Sequence, residues 1–143
     1  MIEFNVDGEP APQGSKKAFV VTRKVGSHGA VVVDDNKAAL KSWRDVVKLA
    51  ASIYAGEHGK HVPLRVDVVF RLKRGKTVKR LYPTTKPDLD KLTRSIGDSM
   101  TDAELYADDS QIVVATQYKR YALPHETPGA RIRVSRIEEG ETP

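Results

Sequence analysis

The stretch Lys86-Pro87-Asp88-Leu89-Asp90-Lys91-Leu92-Thr93-Arg94-Ser95-Ile96-Gly97-Asp98-Ser99-Met100 decides how this chain reads. Leu89, Leu92, Ile96 and Met100 recur at helical spacing and mark one apolar face; Asp90, Arg94 and Asp98 form the opposite stripe. Pro87 disfavours helical backbone at Lys86, so the helix starts near Asp88 or later. Upstream, Lys73 to Pro87 has no period and contains Gly75 and Pro83, which reads as a mobile basic loop. Between Val68 and Pro87 stand Arg71, Lys73, Arg74, Lys76, Lys79, Arg80 and Lys86, with no acid among them. A run of cations thus leads straight into the paired carboxylates Asp88 and Asp90.

Working outward, Leu64 to Leu72 alternates Val66, Val68, Phe70 and Leu72 against Arg65, Asp67 and Arg71, with Val69 breaking the pattern; this predicts a strand. Lys37 to Tyr54 predicts an amphipathic helix on Leu40, Trp43 and Val47, started by the capping chemistry of Asp34, Asp35 and Asn36 and ended by Gly56. Ile2 to Val6 is a period-2 strand stopped by the Gly8 to Gly14 loop. Phe19 to Thr22 and Val31 to Val33, around Gly26, Ser27 and Gly29, predict a hairpin. Gln111 to Tyr121 and Ala130 to Ile137 are two further strands, separated by a Pro124 to Gly129 turn. The order β-β-β-α-β-α-β-β implies an α/β or α+β domain: one mixed sheet with two main helices packed on it. The whole of 1–143 reads as a single domain with a frayed tail over 138–143.

Length and moderate hydrophobic content suit one domain with a core. No apolar stretch approaches the roughly 20 residues of a membrane span. The N-terminus lacks the pattern of a signal peptide, so a cytoplasmic location is expected. The chain has no cysteine, which excludes disulfides and thiolate zinc sites and is compatible with a reducing compartment. The formal net charge of +5 favours polyanionic partners.

Hydrolysing a phosphodiester requires a nucleophile to approach an anion. Oxygen-ligated Mg²⁺ or Mn²⁺ polarises the phosphoryl oxygen and acidifies a bound water, and such hard cations take carboxylates. If Asp88 and its neighbours are extended, side chains at i and i+2 point the same way and Leu89 points to the core. Asp108 or Asp109, ahead of the Gln111 strand, supplies a third carboxylate. The competing reading is ordinary: aspartates at a helix start act as caps, Asp90 with Arg94 is a common i,i+4 pair, and Asp108-Asp109-Ser110 is turn composition.

These residues resemble a known family, the RusA-type Holliday junction resolvases. The resemblance rests on Lys86-Pro87-Asp88-Leu89-Asp90-Lys91-Leu92, then Asp98, then Leu105-Tyr106-Ala107-Asp108-Asp109-Ser110-Gln111-Ile112-Val113. Pro10-Ala11-Pro12-Gln13-Gly14-Ser15 is similar to the family's N-terminal loop. The resemblance implies a homodimeric, Mg²⁺-dependent endonuclease that nicks a four-way DNA junction symmetrically, leaving ligatable 5′-phosphate ends, during recombination and repair in a bacterial cell or phage-infected host. It also implies that Asp88, Asp90 and Asp109 are the catalytic, metal-binding carboxylates, with Asp108 a neighbour. Two positions depart from the pattern. Lys91 stands where the family has Asn, and Arg94 stands where it has a catalytically important lysine. Arg keeps the charge and grips phosphate, but it does not donate a proton as Lys does. Either Arg94 or Lys91 takes that role, and Arg94 is better placed, because Lys91 lies about 100° from Asp90 on a helix.

For DNA contact the candidates are Lys73, Arg74, Lys76, Lys79, Arg80 and Lys86 in the basic loop, with Lys91, and, in the first loop, Lys16 and Lys17. Tyr82 offers a stacking surface beside Arg80. A C2 dimer suits the near two-fold symmetry of a four-way junction. Trp43 is assigned to the core in preference to an interface. His58 and His61 are read as loop histidines, as are His28 and His125 in turns. Two other functions stay open: a non-catalytic branched-DNA-binding module of the same fold, and a basic RNA-associated protein whose aspartates only cap helices.

Overall fold

The computed structural model describes residues 1–14, 16–22, 28–34 and 37–141, of which 16–22 and 28–34 as backbone. Strand β1 is Ile2–Asp7, β2 is Lys16–Thr22, β3 is His28–Asp34, β4 is Leu64–Leu72, β5 is Ile112–Tyr121 and β6 is Gly129–Arg136. Helix α1 is Lys37–Ser52, α2 is Leu89–Asp102, and a 3₁₀ turn covers Asp109–Gln111. The expected element order holds.

The main sheet has four strands in the order β1-β6-β4-β5. It is mixed: β4 pairs parallel with β5 and antiparallel with β6, and β1 pairs antiparallel with β6. The hairpin β2–β3 has the expected antiparallel pairing, but it is a separate two-stranded sheet and not part of the main one. His28 opens β3 instead of lying in the turn, and Gly26, Ser27, Asp35 and Asn36 fall outside the described residues. Although β5 and β6 are consecutive, they are not neighbours, because β4 lies between them. The 122–128 connection therefore crosses the end of β4. Arg71 pins it there, donating from Nε to the Thr127 carbonyl at 3.0 Å and from Nη1 to Asn5 Oδ1 at 2.8 Å. Gly129 is required at this crossing, since a Cβ would lie 2.0 Å from the Val6 carbonyl oxygen.

Both helices cover one face of the sheet. Val66, Val68 and Phe70 of β4, with Ala130, Ile132 and Val134 of β6, are buried beneath Leu40, Trp43 and Val47 of α1 and Leu92, Ile96 and Met100 of α2. Trp43 is only 2 % exposed, so it belongs to the core. The other face carries charge: Glu3 of β1 pairs with Arg131 and Arg133 of β6. Ser95 and Ser99 are buried on α2, each hydroxyl donating to a carbonyl of its own helix, Leu92 and Ser95 respectively. Among the described residues no helix is long and apolar enough to cross a membrane.

Helix α2 connects the parallel strands β4 and β5, so it fixes the predicted carboxylates. Its first turn follows the end of β4, and its last turn delivers the chain to the start of β5.

Candidate active site

The helix begins at Leu89, and Asp88 is its N-cap residue, in extended backbone at φ −69°, ψ 138°. Asp88 makes no side-chain cap hydrogen bond. The expected extended i,i+2 geometry therefore ends at Asp88, because Asp90 already lies in the first helical turn. Both carboxylates are exposed, and Leu89 packs partly against the core as expected. Lys91 Nζ lies 3.7 Å from Asp88 Oδ2, which makes Lys91 a companion of Asp88.

The chain before Asp88 is irregular, as expected, but it is tied down. Gly75 accepts from Val78 N at 3.1 Å and Tyr82 accepts from Thr84 N at 2.9 Å, carbonyl to amide in both cases. Arg74 Nη2 donates to the Arg80 carbonyl at 3.0 Å, and Arg80 Nη2 to Thr85 Oγ1 at 3.2 Å. Arg74 also lies over the ring of Tyr121, 5.8 Å from its centroid, a cation–π geometry. Lys119 of β5 anchors the approach to the helix, its Nζ donating to the carbonyls of Thr85 and Pro87, both at 2.8 Å. Lys73, Lys76, Lys79 and Lys86 are exposed, as are Leu81 and Tyr82, Tyr82 being 71 % accessible. Lys16 and Lys17 lie in β2, where only the backbone is described.

Asp108 and Asp109 differ in kind. Asp108 is built into the turn: it accepts from Ser110 Oγ at 2.6 Å, which holds its carboxyl below the usual range. Gln111 closes the same turn. Its Oε1 accepts from the amides of Ala107 and Asp108, and its Nε2 donates to the carbonyls of Gly59 and Val62. This latch explains why Gln follows the aspartate pair at that spacing. Asp109 faces α2. A Cβ on Gly97 would stand 4.0 Å from both Asp109 Oδ2 and Tyr106 Oη, so the carboxylate rests against the glycine face of the helix. Partial burial first, then the like charges of Asp108 and Asp98, raise its pKa above the ordinary value, while Arg94 pulls it down. Tyr106 donates from Oη to the Gly97 carbonyl at 3.0 Å behind it, and burial pushes that phenol's pKa up.

The structure thus brings Asp109 to one hollow with Asp98 and Asp108, with Arg94 near enough to act on its charge. It does not gather Asp109 with Asp88 and Asp90. Gly97 lies about 10 Å further along the helix axis than Asp90, at 1.5 Å per residue. Among the described residues no three His, Cys, Asp or Glu side chains form a group that could hold a metal ion. His58 is half-buried, which lowers its pKa, and His61 is exposed, in left-handed backbone at φ 65°. The donor chemistry on α2 does fit a hard divalent cation. Every candidate ligand is a carboxylate, and Asp109 carries a like-charge burden that a cation would relieve. An open hollow of about 340 Å³ adjoins it, lined by Arg44, Asp98, Thr101, Asp102, Asp108 and Asp109.

Two contributors were given no site role from the sequence. Asp98 is visible on the helix stripe, but its closeness to Asp109 depends on where the following turn folds back. Lys119 carries no signal of its own, being one cation in a strand.

A carboxylate-bearing helix linking parallel strands, approached by a basic loop, defines a class. Residues 7–135 match the family Endodeoxyribonuclease RusA, and the chain belongs to that family. It is 30% identical over 148 residues to the uncharacterized protein YqaN of Bacillus subtilis (strain 168), covering 95% of this chain and 96% of that one. It is also 43% identical over 56 residues to the crossover junction endodeoxyribonuclease rusA of Lactococcus phage r1t, covering 38% of this chain and 42% of the phage protein.

Proposed function

We propose that this protein is a Mg²⁺-dependent endonuclease that resolves four-way DNA junctions by paired symmetric nicks, acting as a homodimer in a bacterial or phage-infected cell. The observation that carries this reading is the family match over 7–135, which spans a helix retaining Asp88 and Asp90 and a turn presenting Asp109. Asp88, Asp90 and Asp109 are the carboxylates that would hold Mg²⁺ or Mn²⁺, which requires the two ends of α2 to close on one ion or to hold separate ions, since the three do not converge in this structure. When bound, the cation supplies charge neutralisation at the phosphate and a water of lowered pKa.

The chain's own residues have separable tasks. Arg94 stands between Asp90 and Asp98 on the exposed stripe, near enough to Asp109 to lower its pKa. It clamps the scissile phosphate and stabilises the charge that develops there, while Lys91 steadies Asp88. Gln111 and Ser110 hold the turn so that Asp109, not Asp108, faces the helix. Lys73, Arg74, Lys76, Lys79, Arg80 and Lys86 lead the DNA backbone toward Asp88, with Lys16 and Lys17 as further contacts.

The dispersal of the carboxylates along α2 favours one alternative, a branched-DNA-binding module of the same fold without catalysis. Asp88→Asn separates the two. Loss of Mg²⁺-dependent nicking of a synthetic four-way junction, with binding retained, supports the nuclease. Junction binding by the unaltered protein without nicking in any divalent metal supports the binding module.

A further inference from the structure

Helix α1 carries a second basic surface that the loop does not include. Lys37, Lys41, Arg44 and Lys48 fall within roughly 60° of one another around the helix and span about 16 Å along it. Asp45 is the only acid in α1. The remaining exposed sector of the helix carries Ser42, Val46 and Leu49, with no charge at all. The cations are therefore segregated to one side, which solubility does not require. That side is the one facing α2: Arg44 Nη2 donates to Asp102 Oδ2 at 2.7 Å and also lines the hollow beside Asp109. Beyond it, Lys37, Lys41 and Lys48 border a neighbouring hollow of about 370 Å³ that shares Arg44 and Asp102. The two hollows make one surface running from Asp109 across the end of α2 onto α1. The Lys41–Asp45 pair is highly exposed on both sides, so its attraction is weak and phosphate competes with it readily.

We infer that this α1 stripe is a second phosphate-binding track, holding the backbone of a DNA strand on the side of Asp109 away from the Lys73–Lys86 loop. This rests on the junction-nuclease reading, in which the loop engages DNA near Asp88. The stripe's four cations, spread over about 16 Å, suit contact with a few successive phosphates of one strand. Two tracks, one at each end of α2, would hold a strand across both sets of carboxylates, or two arms diverging from the helix.

The test is fluorescence anisotropy with a labelled four-way junction in EDTA, measured from about 50 to 200 mM salt. Two triple variants are compared with the unaltered protein: Lys37→Gln/Lys41→Gln/Lys48→Gln on α1, and Lys73→Gln/Lys76→Gln/Lys79→Gln in the loop. The α1 triple is expected to weaken binding about tenfold or more and to reduce the slope of log affinity against log salt by about 2 to 3 per protomer. Lysine-to-arginine replacement at the same three positions is expected to leave both intact. Unchanged affinity and slope in the α1 triple, with a loss in the loop triple, overturns the inference and spares the junction-nuclease reading. Absence of junction binding by the unaltered protein overturns both. Should the α1 triple fail to fold in a thermal melt, Lys41→Gln and Lys48→Gln alone decide: each is expected to lower the slope by about one, and no change overturns the track.

Discussion

The two ends of α2 carry the same residue type in opposite surroundings. At the N-terminal end, Asp88 and Asp90 stand exposed on a helix start, beside Lys91 and after a chain of cations. At the other end Asp109, though exposed, lies near Gly97 and the negative charges of Asp98 and Asp108, with Arg94 as the moderating cation. On the proposed reading the first end receives phosphate, and the second, where partial burial and then like charge raise the Asp109 pKa, gains from a bound cation. An aspartate's chemistry here is thus set by its neighbours along and across one helix, and the proposed activity needs both ends to work as one site.

The largest expected effect tests that unity. Asp90→Asn and Asp109→Asn are each expected to reduce junction nicking by at least about 10²-fold, the scale seen when one electrostatic stabiliser is lost. The double variant is expected to be little worse than either single, as for residues acting as a unit. Independent, multiplicative losses in single-turnover rates would instead mean that the two ends act separately. Arg94→Ala is expected to cost about 10²-fold in rate, and Arg94→Lys less, since the charge is retained. The same alanine variant should raise the Asp109 pKa further, measurable by carboxyl NMR titration; no movement would remove Arg94 from that end of the helix.

A smaller effect concerns the turn. Gln111→Ala removes a half-buried latch whose lost bonds to the Gly59 and Val62 carbonyls water can in part replace, so urea unfolding should show a loss of about 0.5–1.5 kcal/mol. Asp108→Asn should matter least for nicking, because its carboxylate is engaged with Ser110.

The pH dependence has a definite sign. The Asp109 carboxyl is raised in the folded state, so the fold binds this proton more tightly than the unfolded chain does. Its charged form therefore costs stability, which returns as pH falls through the raised pKa toward the ordinary value. Glu126, held by Arg120 at a pKa of about 2, acts oppositely: its contribution is present above the unfolded value and is lost as pH falls toward 2. Asp109→Asn should accordingly stabilise the protein slightly at neutral pH while reducing nicking, a thermal melt and a cleavage assay moving in opposite directions.

Most of the fold was legible because its elements obey simple periods. Leu64 to Leu72 alternates, Val69 apart, and its ends coincide with β4, while Leu92, Ile96 and Met100, with Leu89 partly buried, mark the core face of α2. The insertion of β4 between β5 and β6 was not legible. It depends on a buried arginine and a glycine crossing that only the folded chain reveals. The separation of the β2–β3 hairpin from the main sheet was hidden for a similar reason, since alternation specifies a strand but not its neighbours. At the candidate site, the residue types and spacing of Asp88, Asp90 and Asp109 were readable. The choice of Asp109 over Asp108 rested on the resemblance alone; the structure shows only that the two differ, Asp108 being engaged with Ser110. Asp98 and Lys119 act through long-range contacts that no local pattern encodes.

The most direct test is a cleavage assay on a synthetic four-way junction beside its matched linear duplex, with Mg²⁺ and with EDTA. Paired, symmetric nicks are expected in the junction with Mg²⁺, none in EDTA, and none in the duplex. Nicking that persists in EDTA, or a junction left intact in both Mg²⁺ and Mn²⁺, would contradict the junction-nuclease reading.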